Sequence, residues 1–233
     1  MSPIPTQQGA GRDWRAYRPL LWLLSIPFLN VFYTLLNKAG ADVYSLASDL
    51  DRLTPFIPAF IIPYVIWYPF IAGTLLLFFF RDRRMYYGTL ATMCLGMIVS
   101  YAVYAVFQTT VIRPHLDGEG WLLELVSFIY AHDEPFNCFP SIHVLTCYVM
   151  VKGLRRNANL PWAGRALLIA TAWSIIASTV FVKQHVLLDA VGAILLVELL
   201  FAATKRVLPL RWRKREPMPL EQPAVGRSQL LDQ

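Results

Sequence analysis

Two histidine-containing segments carry the residues whose types and spacing best suit chemistry. One is the segment Pro140–His143, and the other places Asp189 four residues after His185. A histidine and an aspartate at this spacing share one face of a helix. The carboxylate then fixes the imidazole tautomer and raises the basicity of the other nitrogen, which makes the histidine a better nucleophile or base. The pair favours histidine-mediated phosphoryl transfer; the alternative is a satisfied polar pair at a helix end.

The segment before His143 is typical of a helix N-terminus that binds an anion. Proline suits the first helical turn, and the free N–H groups there, including that of Ile142, favour negative charge together with the helix dipole. Ser141 adds a hydroxyl donor, and His143 then faces the bound anion. The alternative is that Ser141 only caps a helix beside a packed histidine.

Two basic residues, Arg113 and Lys183, flank these segments. Cations at such positions clamp a phosphate and stabilise charge in a phosphoryl-transfer transition state. For either residue alone, an equally good interpretation is that its side chain reaches to lipid headgroups. The cysteines Cys94, Cys138 and Cys147 lack the spacing of a metal site or a disulfide framework, so no metal or other cofactor is expected.

Long uncharged stretches must position these residues. The chain has 233 residues and is 56% hydrophobic, and its charges cluster between apolar runs. A membrane span needs about 20 apolar residues, and unbroken apolar runs predict helices, since the strands of a barrel alternate. The sequence therefore predicts an all-α integral membrane protein, a bundle of six transmembrane helices at about 17–37, 55–80, 85–109, 140–157, 163–182 and 185–206.

The distribution of charge predicts the orientation of this bundle. Six spans place both termini on one side, and of the 21 Lys and Arg residues only Lys38, Arg52, Arg113 and Lys183 fall on the other. This positive-inside pattern predicts cytoplasmic termini in a multi-pass protein, of the cell membrane if the source is bacterial, with the histidines on the extracytoplasmic or lumenal side. The net charge of +6 then indicates anionic membrane lipids as partners, and no nucleic acid.

One membrane domain is predicted, with residues 1–16 as a cytoplasmic N-terminal segment, 17–206 as the six-helix domain and 207–233 as a basic, disordered tail. Two outer segments have apolar residues at helical spacing and are expected to form amphipathic helices in the membrane interface: Val43, Leu46, Leu50 and Leu53, and Trp121, Leu125, Phe128 and Ile129. The prolines near the start of the second helix, from Pro55 to Pro69, predict bends. His132, Asp133 and Glu134 are interpreted as a polar loop.

The motifs resemble those of the type 2 phosphatidic acid phosphatase and vanadium haloperoxidase superfamily, in its membrane branch. That family has Lys-x6-Arg-Pro, Pro-Ser-Gly-His and Ser-Arg-x5-His-x3-Asp, in that order. Here they correspond to Arg113-Pro114, to Pro140–His143, and to Ser178, His185 and Asp189. The sequence departs at three positions, since Val106 stands for the lysine, Ile142 for the glycine and Thr179 for the arginine. Phe139 and Ile142 make the second motif more similar to the inositolphosphotransferase branch, which includes inositol phosphorylceramide synthases.

The resemblance implies a metal-independent lipid phosphatase or phosphotransferase, the alternatives being a lipid headgroup (inositolphosphoryl-type) transferase and a catalytically silent lipid-phosphate-binding relative. It implies that His185 attacks phosphorus, that Asp189 activates it, and that His143 exchanges a proton with the leaving and entering oxygens. The phosphate would be held by Arg113, Lys183, Ser141, the backbone N–H of Ile142 and Gln108. The expected partner is a phospholipid or lipid phosphate. The sequence leaves homo-oligomerisation open.

Overall fold

The computed structural model of the protein describes residues 14–156 and 160–207. The predicted tail therefore lies outside the described residues, apart from Val207. The helices are α1 (Ser25–Leu36), α2 (Asp49–Leu53), α3 (Ile61–Arg81), α4 (Arg83–Val106), α5 (Trp121–His132), α6 (Ile142–Arg156), α7 (Trp162–Phe181) and α8 (Leu187–Val207). Two 3-10 helices, Trp14–Leu24 and Pro58–Phe60, lead into α1 and α3, and the strands β1 (Val43–Ser45) and β2 (Gln108–Thr110) pair in parallel.

Four of the helical segments are long and apolar enough to cross a membrane: Trp14–Leu36, Pro58–Arg81, Arg83–Val106 and Trp162–Phe181. They fit a multi-pass membrane protein. Each of the other two predicted helices is also present, as α6 and α8. With 15 residues α6 is short for a span, since at 1.5 Å per residue it is about 22 Å long. In α8 the side chains after Ala203 are not described.

Prolines determine how two of the long segments begin. Pro19 lies inside the first segment, which is a 3-10 helix as far as Leu24 and an α-helix from Ser25 onward. Pro55 precedes the helix, and Pro63 lies in the first turn of α3, where its missing N–H costs nothing. Only Pro69 is interior, so the predicted series of bends in this helix is reduced to one position.

The prediction of an amphipathic helix beginning at Val43 is wrong. Val43–Ser45 instead forms a strand that pairs with Gln108–Thr110. Because Gln108–Thr110 is a strand, α4 ends at Val106, three residues before the predicted position. Ser48 starts the short helix α2 by accepting a hydrogen bond from the Asp51 N–H while the Asp51 carboxylate accepts one from the Ser48 N–H. This reciprocal cap fixes the helix start at residue 49. The second predicted amphipathic helix is confirmed as α5.

The helix α6 forms the centre of the bundle and packs against α3, α4, α7 and α8. Most of its side chains are buried, including Val144, Leu145 and Met150, each 0% exposed. The first segment, Trp14–Leu36, lies at the periphery and presents apolar side chains outward. Because α6 is enclosed by its neighbours, the residues at its N-terminus face the ends of those neighbouring helices, and this arrangement forms the candidate site.

Candidate functional site

The two histidines lie side by side. The ring centroids of His143 and His185 are 5.7 Å apart, with an angle of 59° between the planes. His143 is the second residue of α6, and His185 lies in the turn between α7 and α8. The predicted convergence of the two segments in one place is therefore present in the structure. At this separation both rings can contact one phosphoryl group.

Asp189 holds His185 in place. His185 Nδ1 lies 3.3 Å from Asp189 Oδ2, and both side chains are buried. The prediction that both residues share a helix face is wrong, because α8 begins only at Leu187. Asp189 instead lies in the first turn of α8, where its Oδ2 also accepts a hydrogen bond of 3.0 Å from the Val186 N–H. The contact nevertheless leaves His185 Nε2 as the nitrogen available for chemistry.

Aromatic side chains surround His143. Its ring centroid lies 4.8 Å from that of Tyr64 and 4.2 Å from that of Trp67. Trp67 is itself fixed, because its Nε1 donates a 2.8 Å hydrogen bond to Thr146 Oγ1. Both aromatic residues belong to α3, whose packing against α6 therefore sets the orientation of the imidazole. The sequence analysis did not identify either residue.

The N-terminus of α6 combines a cap with free donors. Ser141 Oγ accepts a 3.3 Å hydrogen bond from the Val144 N–H, as in the capping interpretation, and its own N–H donates 3.2 Å to the Asp189 carbonyl. Among the described residues, no acceptor is present for the N–H groups of Ile142 and His143. These two groups are available to an anion at the positive end of the helix dipole.

Arg113 lies beside the site and is held by carbonyl groups. Its guanidinium donates to the carbonyls of Tyr130 (3.0 Å) and Asp133 (2.6 Å) and to Gln184 Oε1 (2.5 Å). It also lies over the Tyr130 ring, 4.4 Å from the centroid. Its Nε–H remains buried without a partner. Arg113 therefore connects α5 to the residue that precedes His185, with its Nε–H left unused among the described residues.

Lys183 is directed to a different group of atoms. Its Nζ donates to the carbonyls of Asp51 (2.8 Å) and Thr54 (2.6 Å), so it binds the turn before α8 to α2. Burial raises the pKa of Asp51, but hydrogen bonds from Ser48 and Leu187 and the charge of Lys183 outweigh this, and the net pKa lies below its ordinary value. In the structure Lys183 therefore stabilises the contact between α2 and the turn before α8.

Changing Lys183 to methionine is expected to lower stability, because two carbonyls lose a charged donor. A hydrogen bond to a charged group contributes about 1.5–3 kcal/mol. Because Lys183 is partly exposed to solvent, we expect the free energy of unfolding to fall by about this amount for the two bonds together. The melting temperature of the purified protein measures it. An unchanged melting temperature with a raised KM for lipid phosphate would contradict this and would support the phosphate contact that the sequence predicts.

The side chains of Gln108 and of two departing positions, Val106 and Thr179, offer no donor to a phosphate at the histidines, although the Thr179 carbonyl accepts a 3.0 Å hydrogen bond from the His185 N–H. The Gln108 side chain accepts from the Gly40 N–H (2.7 Å) and donates to the carbonyls of Leu36 (3.1 Å) and Lys38 (2.8 Å), so it braces the loop after α1. Val106, at the lysine position, is 85% exposed. Thr179, at the arginine position, is buried, and its hydroxyl donates to the Ile176 carbonyl. The Gln108 side chain is thus engaged elsewhere, and this geometry does not support the expectation that it holds the phosphate in place of the motif lysine.

Asp133, which the sequence predicts to lie in a polar loop, is a half-buried acid. Its Oδ1 accepts hydrogen bonds from Tyr33 Oη (2.8 Å) and Asn37 Nδ2 (2.9 Å). Burial raises the pKa of Asp133 above its ordinary value, although these bonds and the charges of His185 and Arg113 act against the rise. Asp133 is thus within electrostatic reach of the histidines. Its position after the amphipathic helix α5 was the available signal, but it gave no indication of burial.

Several buried polar atoms near the histidines have no partner among the residues that the structure describes. The donors are Arg113 Nε, Tyr64 Oη and Gln184 Nε2, and one acceptor is Asp189 Oδ1. A buried polar group without a hydrogen bond costs about 1–3 kcal/mol, so native structures rarely leave several together unless water or a ligand satisfies them. The donors suit the oxygens of a phosphate group.

Tyr104 fixes the start of α6. Its buried hydroxyl donates a 2.5 Å hydrogen bond to the Pro140 carbonyl. Changing Tyr104 to phenylalanine leaves this carbonyl without its partner, and we expect stability to fall by about 1–3 kcal/mol. Thermal unfolding checks this, with Tyr87→Phe, an exposed ring on the same helix, as the matched control. Equal melting temperatures for the two variants would contradict the expectation.

Phe139 is accommodated by a glycine. A Cβ atom at Gly192, on α8, would lie 2.3 Å from Phe139 Cε2 and 2.7 Å from its Cζ. Such distances are far inside van der Waals contact, so only glycine permits the ring to lie against the α8 backbone. Phe139 directly precedes the segment that ends in His143. The contact with Gly192 therefore sets the distance between α8 and the start of α6.

Cys138 completes a group of side chains able to bind a metal ion. Its Sγ, a ring nitrogen of His185 and a carboxylate oxygen of Asp189 lie within 4.8 Å of one another, and all three residues are buried. No metal site was expected from the sequence, because the spacing of the cysteines along the chain is not that of a metal site. Linear spacing does not detect ligands that folding brings together.

Comparison with known proteins returned no relative. The chain matches no protein-family model, no curated protein and no solved structure.

Proposed function

We propose that the protein is a membrane lipid phosphatase or phosphotransferase that acts on a lipid phosphate ester through a phosphohistidine intermediate. The observation that carries the proposal is the arrangement of His185, bonded to Asp189 at 3.3 Å, beside His143 at a ring separation of 5.7 Å. A nucleophile, the group that orients it and a second proton-carrying group lie in hydrogen-bond or ring contact. The family motifs noted in the sequence support the same activity.

The reaction follows from these positions. His185 keeps its proton on Nδ1, toward Asp189, and its Nε2 lone pair attacks phosphorus while the ester P–O bond breaks. The leaving oxygen takes a proton from His143. The neutral His143 then accepts a proton from the incoming hydroxyl group, whose oxygen attacks phosphorus as the P–N bond breaks. Asp189 stabilises the charge that develops on the imidazole ring of His185.

The phosphoryl oxygens have nearby donors. The N–H groups of Ile142 and His143 and the unpartnered donors of Arg113, Tyr64 and Gln184 are the candidates. Donors that are already in place stabilise transition-state charge without reorganisation, which is the main contribution of a protein to phosphoryl transfer. This set does not require Lys183 or Gln108.

The acceptor determines the activity. Water gives a phosphatase, and a lipid alcohol gives a headgroup transferase. The aromatic rings of Tyr64 and Trp67 cover His143 and limit water on that side, which favours the alcohol. The second candidate is a catalytically silent lipid-phosphate-binding relative. It is favoured by the engagement of both Arg113 and Lys183 with backbone carbonyls.

The membrane topology is part of the proposal. We propose that α6 and α8 cross the membrane with the four long apolar segments, which gives six spans and two cytoplasmic termini. The short α6 begins below the membrane surface, where the loop that contains Cys138 leads into it. The histidines then open to the extracytoplasmic side, as the distribution of Lys and Arg indicates.

The first experiment uses detergent-solubilised, purified protein with EDTA and a panel of lipid phosphates. Phosphate release and headgroup transfer are followed together, with His185→Ala as the control. We expect turnover that survives EDTA and vanishes in the variant, because the proposed nucleophile is the imidazole. The product distinguishes hydrolase from transferase. The control variant must retain the melting curve of the parent protein.

A labelled phosphoryl group provides the second measurement. Lipid phosphate labelled with ³²P is expected to give an acid-labile, base-stable protein adduct that maps to His185, as phosphoramidate chemistry requires. Folded protein that binds lipid phosphate but turns over no lipid would contradict the enzyme proposal and support the silent relative.

A further inference from the structure

We propose that Cys138, His185 and Asp189 form a site for a thiophilic divalent cation such as Zn²⁺, and that occupation of this site blocks His185 as a nucleophile. The binding site rests on the geometry of three side chains. The blocking effect rests on the proposed function.

The donor atoms already approach the geometry that zinc requires. Zinc bonds of about 2.0–2.3 Å in a tetrahedron place the ligand atoms about 3.3–3.7 Å apart. His185 Nδ1 and Asp189 Oδ2 lie 3.3 Å apart. The Cys138 sulfur lies within 4.8 Å of the other two ligands, so a small side-chain rotation brings it into range.

The present bonds of the three ligands do not oppose this rearrangement. The Cys138 thiol donates a long hydrogen bond, 3.5 Å, to the Pro135 carbonyl, and the sulfur also meets the backbone N–H of Val111. A contact at this distance is weak and is readily exchanged for a metal–thiolate bond. Asp189 keeps its backbone position through the hydrogen bond from the Ser141 N–H to its carbonyl, which does not involve its side chain.

A second observation points independently to a cation. Asp189 is 0% exposed, and its Oδ1 has no hydrogen-bond partner. A buried carboxylate requires compensation by hydrogen bonds, an opposite charge or a metal ion. The Val186 N–H and His185 satisfy only the other oxygen, Oδ2. A divalent cation between Asp189 and Cys138 would neutralise the carboxylate and thiolate charges together, and chelation by both carboxylate oxygens would also give Oδ1 its partner.

Binding at this position changes the tautomer of His185. The metal takes the Nδ1 lone pair, so the single proton of a neutral imidazole must reside on Nε2. The thiol proton of Cys138 is released to solvent. Nε2 then has no lone pair with which to attack phosphorus, and the phosphoryl-transfer step stops. Three protein ligands leave the fourth position for water or a phosphate oxygen.

Cobalt reports on this site directly. Purified, detergent-solubilised full-length protein is treated with chelator, freed of it and titrated with Co²⁺. We expect one equivalent to give the visible bands of tetrahedral cobalt together with a near-ultraviolet thiolate-to-cobalt charge-transfer band, both abolished by Zn²⁺. Cys138→Ser should lose the charge-transfer band. Cys94→Ser, which removes the half-buried cysteine of α4, is the matched control and should keep it.

The effect on turnover is measured in a separate assay. Added Zn²⁺ is expected to abolish lipid-phosphate turnover and EDTA to restore it. For each protein, activity is expressed as a fraction of its own rate without metal. The zinc concentration that halves this activity should be more than tenfold higher for Cys138→Ser than for the parent protein. Cobalt binding without the thiolate band, or a band that survives in Cys138→Ser, would overturn the site. Full turnover by zinc-loaded protein would overturn the blocking effect. If no lipid is turned over by any preparation, the proposed function fails, and the cobalt spectra alone still decide the site.

Discussion

If the proposed function holds, Asp189→Asn is expected to lower kcat by about 10⁴-fold, the effect of the same change in the Ser-His-Asp triad of a serine protease. An amide at this position still accepts the hydrogen bond from the Val186 N–H, so α8 keeps its start. It no longer stabilises positive charge on His185, because the oxygen that then faces Nδ1 carries no full negative charge. The loss therefore appears in the chemical step and leaves the folded structure intact.

Single-turnover rates with a lipid phosphate measure this loss, with melting temperature as the check on folding. Asp133→Asn is the matched control, since it also removes a half-buried carboxylate within electrostatic reach of His185 but keeps the oxygen that accepts from Tyr33 and Asn37. We expect its kcat to change less than tenfold. A comparable loss in both variants would mean that Asp189 acts only through its general negative charge.

Gly192→Ala is expected to lower stability more than the same change at Gly40, Gly96 or Gly153. The new Cβ would lie 2.3 Å from Phe139 Cε2, whereas at those three glycines it would lie no closer than 2.9 Å to a side chain. Overpacking a buried contact costs about 1–3 kcal/mol, and more when neither partner can move. Phe139 precedes the segment that carries His143, so activity should fall with stability.

A double-mutant cycle tests the cause of this loss. Phe139→Leu replaces the ring that the new methyl group would meet by a shorter side chain. The melting temperature of the double variant with Gly192→Ala should therefore return most of the way to that of Phe139→Leu alone. Gly73→Ala is the matched control, because a Cβ there meets nothing within 4 Å and alanine raises helix propensity. Additive losses in the double variant, or destabilisation by Gly73→Ala of the same size, would contradict the steric explanation.

The helices and the meeting of the two histidines were predictable from the sequence. Long uncharged runs between charged blocks predicted all six long helical segments to within a few residues, since hydrophobic burial depends on patterns that extend over a whole helix. His143 and His185 each lie at an end of such a segment, so the predicted topology alone brings them close together. The number of membrane spans and their orientation remain predictions.

Contacts between segments distant in sequence were not predictable. The pairing of Val43–Ser45 with Gln108–Thr110 replaced a predicted amphipathic helix, because strand pairing depends on a partner about 65 residues away. Lys183 was expected at the phosphate, yet its Nζ reaches carbonyls more than 120 residues earlier in the chain. The proximity of Cys138 to Asp189 has the same origin, since neither composition nor spacing reports which loops fold together.

The bond between the Ser141 N–H and the Asp189 carbonyl has a dynamic consequence. It joins the starts of α6 and α8 through the main chain, so it does not depend on a side-chain donor or acceptor. The helix α5, whose only buried residue is Val126, is held instead by side-chain bonds: the Tyr130 hydroxyl donates to the Val182 carbonyl, and Arg113 donates to the Tyr130 carbonyl. Segments with few buried contacts open locally more readily than a buried core helix. Amides of α5 should therefore exchange with deuterium faster than those of α6, whose side chains are mostly buried.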